Sequence, residues 1–166
     1  MSDIKQQYIA SSAVTITLAS LASDANMLAG RESTAIDNSS NKYLDYLIAG
    51  KITTGTSPTV NKKIRVYAIG MMEDSTWPDV IDGTDSDETI STVGTRDAIG
   101  QLVTEITVTA TSDQTYYFGP VPARAIFGDC VPRKFVLFVV HDTAVALNST
   151  GSNHAIYITP AHEQVV

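Results

Sequence analysis

The sequence predicts an all-β fold, an antiparallel β-sandwich of jelly-roll type with one or two short helical turns. Three observations predict it. The 166 residues include 20 Thr and 15 Ser, while charged residues make up only 17%, against about 25% in an average soluble domain. Threonine favours a pleated backbone because its β-branched side chain is stiff at χ1. Apolar runs are short, and the longest, Phe135 to Val140, has strand length. Seven or eight such runs lie between clusters of Gly, Pro, Asn and Ser, without the regular strand–helix alternation that builds parallel sheets. Hydrophobic residues, at 43%, suffice for one core. A chain of about 150 residues buries roughly two thirds of its extended surface without a disulfide or metal.

Residues 1–12 read as an N-terminal arm and 13–166 as a single sandwich domain. Val14-Thr15-Ile16-Thr17-Leu18 alternates apolar and hydroxyl residues, the pattern of a strand with one wet face. Tyr43 to Ile52 is a second strand region in which Gly50 marks a bulge, and Thr53 to Pro58 is a loop. Lys63 to Ile69 is a third strand. Residues 71–93 break the pattern with Pro78, Gly83 and many acids, and read as a long exposed acidic loop with a short strand at Val80-Ile81.

From Thr95 to Val103, apolar spacing changes from helical to alternating, which predicts a short helix leading into a strand. Thr115 to Phe118 is a strand stopped by Gly119-Pro120. Pro122 to Phe127 makes one helical turn closed by Gly128. Phe135 to Val140, apolar on both faces, is a central covered strand. Ala155 to Thr159 is the last strand.

The net charge of −7 is concentrated. Seven acids and no base lie between Glu73 and Glu88, and the remaining 11 acids balance the 11 basic residues. A protein that neutralises phosphates needs a basic stripe, and none is visible, so nucleic acid is not an expected direct partner. Cys130 is the only cysteine and reads as a buried free thiol. The N-terminus lacks the basic start and apolar run of a secretory signal, and no window approaches the roughly 18 apolar residues of a spanning helix. Synthesis in the cytoplasm without membrane insertion is expected, and the sequons at Asn38 and Asn148 then carry no glycan.

Asp82, Asp85, Asp87 and Glu88 are hard oxygen donors of the kind Ca²⁺ prefers, but they lack the alternate spacing, turn glycine and late Glu of an EF-hand loop. A solvated acidic loop is the better reading. His141, His154 and His162 form no tight pair for zinc, and no G-x-S-x-G elbow exposes a nucleophile. They read as hydrogen-bonded structural or surface histidines. Carboxylate pairs for glycoside hydrolysis need a fixed separation, which a loop holds poorly. No catalytic residue, cofactor or metal is therefore expected, and the chain reads as a non-enzyme. Tyr116-Tyr117-Phe118 reads as core or sheet face, whereas Trp77 before Pro78 stands in a loop where a partner would cover it.

Several segments carry a family resemblance. Glu32 to Asn38, YLDYLIAGKITTGTSPT (Tyr43–Thr59), WPDVIDGTDS (Trp77–Ser86), TYYFGPV (Thr115–Val121) and LNSTGSNHAIYITP (Leu147–Pro160) resemble small structural proteins of tailed bacteriophage particles. The resemblance spans most of the chain and carries no catalytic motif. It implies a virion protein, a jelly-roll cement or decoration subunit on the outer capsid surface, binding the major capsid protein and self-associating as a homodimer or homotrimer. A tail or baseplate component is the alternative, and a carbohydrate-binding sandwich is another. Tyr8 in the arm, Thr54 in the Thr53–Pro58 loop, and Trp77, Pro78, Asp82 and Asp85 in the acidic loop are the expected interface residues.

Overall fold

The computed structural model describes residues 3–165, so Met1 and Ser2 of the expected arm, and Val166, lie outside the described residues. The apolar alternation resolves into β1 (Ile4–Tyr8), β2 (Ser12–Ala13), β3 (Ala29–Glu32), β4 (Ile36–Asp37), β5 (Asp45–Thr53), β6 (Lys63–Gly70) and β7 (Asp87–Thr89). A short helix α1 (Val93–Ile99) then leads into β8 (Gly100–Thr107), followed by β9 (Thr115–Pro122), helix α2 (Ala123–Ile126), β10 (Lys134–His141) and β11 (Ala155–Val165).

The strands form two antiparallel sheets. Sheet one runs β1-β11-β5-β9 with β2 also on β11, and sheet two runs β7-β3-β10-β6-β8 with β4 also on β10. Apart from β2, β4 and β7, the strands pair like one long hairpin rolled up: β1 with β11, β3 with β10, β5 with β9, and β6 with β8. This nested order is a jelly roll. The core between the sheets takes Ile48, Ile52, Phe118 and Ile156 from sheet one and Ile64, Val66, Phe135, Leu137 and Val139 from sheet two.

Strand β10 explains the rest of the architecture. Its residues Phe135 to His141 are all buried, so its outer face also needs a cover. Residues 71–93 supply it. Ile81 and Ile90 pack with Val136, Phe138 and Val140 of β10 and with Tyr67 and Ile69 of β6, and Trp77 and Ile99 close the margin. The expected long exposed loop is thus a lid most of whose acids face outward and whose apolar residues seal sheet two. Its strand is β7, paired with β3. Val80-Ile81 instead lies in a turn where the Ile81 N–H donates to the Pro78 carbonyl.

Other expectations also change. Val14 to Leu18 is not a strand: the chain here crosses from sheet one to sheet two, its backbone bonding first to one sheet (Val14 N–H to the Ile156 carbonyl) and then to the other (Thr34 N–H to the Thr15 carbonyl) without a continuous ladder. Val14 and Leu18 still enter the core. Strand β9 does not stop at Gly119-Pro120 but runs on to Pro122. As an edge strand it tolerates prolines without losing ladder bonds, and Gly119 sits at φ +81° where a Cβ would meet the Ile48 carbonyl at 2.3 Å. The irregularity read at Gly50 is present as a register shift between Ile48 and Gly50. Cys130 is exposed, not buried, since the left-handed turn at Gly128 and Asp129 carries the chain away from α2. The expected arm is an edge strand, paired residue by residue with the end of β11.

Candidate interaction surfaces

The lid is latched by two adjacent residues of β3. Arg31 Nε donates to Asp85 Oδ1 at 2.6 Å, Nη1 to Asp87 at 3.1 Å and Nη2 to the Asp85 carbonyl at 2.7 Å. Asp85 also accepts from the Thr17 N–H at 2.9 Å and hydroxyl at 2.6 Å. Burial works to raise the Asp85 carboxyl, but the Arg31 and Thr17 bonds win and hold it below the usual range. Glu32, fully buried, accepts from the Gly83 N–H at 2.5 Å and the Asp82 N–H at 3.3 Å. Burial pushes it up to about 7, against the pull of those two N–H bonds and with added repulsion from Asp82 and Glu88.

The expected interface residues are unequally exposed in the fold. Asp85 is half-buried and paired, Pro78 is buried, and Trp77 is half-buried, its indole 3.1 Å from where a Cβ on Gly83 would stand. Thr54 is fully buried, because it bridges to Leu147 across the end of the sandwich. Asp82 is exposed and accepts from the Thr84 N–H and hydroxyl. Tyr8 is 57% exposed on β1. Among the described residues Glu73, Asp79, Asp82 and Glu88 have no basic partner, which leaves the lid's outer surface anionic.

The outer face of sheet one differs in kind. Leu47, Ala49 and Lys51 of β5 alternate with the buried Tyr46, Ile48 and Ile52, and therefore point away from the core. Tyr117 of β9 stands opposite Lys51, and Tyr157 of β11 stands opposite both Ala49 and Ala13. Tyr117 is 77% and Tyr157 47% exposed, so nothing among the described residues covers them. Lys51 is the one charge in this set. Sequence reading placed Tyr117 on a core or sheet face without marking it as an anchor. The usable signal was the low charge of these outward positions, where Lys51 stands with Leu47 and Ala49.

His141 and His154 serve the fold, whereas His162 on β11 has a buried Nδ1 with no hydrogen-bond partner among the described residues. His141 is fully buried, with Nδ1 2.9 Å from the Thr143 hydroxyl and Nε2 donating to the Leu21 carbonyl at 3.1 Å. His154 Nε2 donates to the Asn148 carbonyl at 2.8 Å, and its Nδ1 accepts from the Thr53 N–H. Burial lowers both rings from the usual histidine value. They pin separate loops and share no partner. Among the described residues, no three His, Cys, Asp or Glu side chains converge as metal ligands. An open cavity of about 550 Å³ is lined by Asn38, Ser39, Lys42, Tyr43, Val131 and Arg133, a set with no carboxylate, thiol or imidazole. No helix among the described residues is long and apolar enough to cross a membrane.

A scan against protein-family models finds no match, and searches of curated proteins and of solved structures return no match either.

Proposed function

We propose that this chain is a non-enzymatic structural subunit of a tailed-phage particle, a cement or decoration protein. In this reading it docks on the outer head surface and stabilises contacts between major capsid proteins. The observation that carries it is the unequal dressing of the two sheets. Sheet two is sealed beneath an anionic lid, whereas sheet one leaves Tyr117 and Tyr157 uncovered on its outer face, with Lys51 the charge that stands beside them. Tyrosines bury large area at low rotamer cost and serve as interface anchors. The open face is therefore the docking side, and the lid faces solvent, where its negative charge keeps the particle surface soluble. The segments that resemble phage structural proteins support the same reading.

A subunit that binds only the assembled shell stabilises it by mass action, by about 2.7 kcal/mol at a free concentration a hundred times Kd. Immunogold electron microscopy of purified particles tests the assignment. Gold spread over the heads is the expected result. Gold confined to the tail would replace the cement role with a tail or baseplate role, and unlabelled particles would refute a virion surface role and make glycan binding the next assay.

A further inference from the structure

We infer that the free edge of β1 pairs with the same edge of a second copy, joining two sheets across a two-fold axis into one continuous antiparallel sheet. The inference does not rest on the virion reading. Among the described residues, strand β1 has β11 as its only ladder partner and ends sheet one. Its register is Ile4 opposite Val165 through Tyr8 opposite Ala161, and the Ile9 N–H donates to the Pro160 carbonyl at 2.9 Å. In an antiparallel ladder, residues that bond one neighbour alternate with residues whose N–H and C=O point the other way. Ile9, Gln7 and Lys5 therefore bond β11, and Ile4, Gln6 and Tyr8 offer their backbone groups to the free edge.

The occupant follows from self-complementarity. Two antiparallel copies of Ile4-Lys5-Gln6-Gln7-Tyr8, overlapped along all five residues, centre on Gln6. That register opposes Gln6 to Gln6 of the second copy and Ile4 to its Tyr8, and these are the residues whose backbone groups are free. On one face of the joined sheet a row of Val165, Ile4, the second copy's Tyr8 and its Ala161 runs unbroken. Ile4 is 68%, Val165 66% and Tyr8 57% exposed in the single chain. The central row places the two Glu163 residues two glutamines apart, and Lys5 faces Gln7, so no like charges are opposed. The other edge of the sheet, β9, carries Pro120 and Pro122, which lack an N–H and block such pairing. Edge pairing of this kind is isologous and closes at two copies, which selects a dimer over a trimer.

Sedimentation equilibrium of the tag-free full chain tests this, in reducing buffer because Cys130 is exposed. The expected mass is twice 17.8 kDa. Gln6→Pro removes an outward N–H without removing a β1–β11 bond, and should give a folded monomer whose thermal melt no longer depends on protein concentration. Should Gln6→Pro fail to fold, Gln6→Lys places like charges on the axis and should also give a monomer. A monomeric wild type at the highest soluble concentration, a trimer, or a dimer that survives both folded variants would overturn the inference. A monomeric wild type whose binding to phage heads is lost in Gln6→Pro would show that the edge accepts a strand of another protein, and would also overturn it.

Discussion

A carboxyl group buried beneath a loop of like charge, as Glu32 is, ionises only against desolvation and repulsion. Its proton is held to about pH 7 in the fold and released near 4.5 in the unfolded chain. Between those values the folded state binds more protons, so this group's contribution to stability falls as pH rises and is lost above about 7. The buried His141 and His154 act oppositely: their folded values lie below 6.5, so the unfolded chain binds more protons and stability grows as pH rises towards 6.5. The Glu32 effect must therefore be read as a difference between variants. Glu32→Gln keeps an acceptor for the Gly83 N–H and removes the titration. Its melting temperature relative to wild type should climb as pH rises from 4.5 to 7, and a pH-independent difference would refute the assignment. None of this was legible in the sequence, where Glu32 is one acid at the start of an ordinary-looking run; its burial depends on Gly83, 51 residues away.

At the scale of elements, the lid is held by apolar contact below and ionic contact at its edge. Ile90 is fully buried, and Ile90→Ala should cost about 2–5 kcal/mol in denaturant unfolding. Arg31→Ala removes every Arg31 bond to Asp85 and Asp87, and should cost about 1–3 kcal/mol. It should also speed proteolysis within residues 71–93 before global unfolding. Equal proteolysis rates in wild type and Arg31→Ala would mean that the apolar contacts alone hold the lid. Strands with partners on both sides, β5, β6 and the doubly apolar β10, were legible close to their observed bounds. Val14 to Leu18 shows the limit: alternation reports which side chains face the core, and a crossing segment satisfies it without a ladder. The lid was illegible because Ile81 and Ile90 follow neither period. Its fixed position comes from Arg31 and Glu32 on a strand distant in sequence.

Across the whole molecule, the jelly roll was legible because strand count, turn spacing and the doubly apolar β10 agree on two packed sheets. The side proposed to dock was not. Acid density in residues 71–93 drew attention to the lid, while the open face of sheet one consists of ordinary outward positions whose meaning depends on nothing covering them. Charge now separates the two sides, and net −7 resides largely on the lid. Truncating two tyrosine anchors should weaken docking at least tenfold, since each tenfold corresponds to about 1.4 kcal/mol. Neutralising the lid should mainly alter solubility and the salt dependence of association.

The most direct test is co-sedimentation of the purified chain with phage heads that lack it, comparing wild type, Tyr117→Ala/Tyr157→Ala and Asp82→Asn/Glu88→Gln at equal concentration. The wild type and the lid variant should pellet with the heads, and the tyrosine variant should remain largely in the supernatant with its melting temperature unchanged. No pelleting of the wild type would contradict the cement role, and equal pelleting of the tyrosine variant would contradict docking through the open face of sheet one.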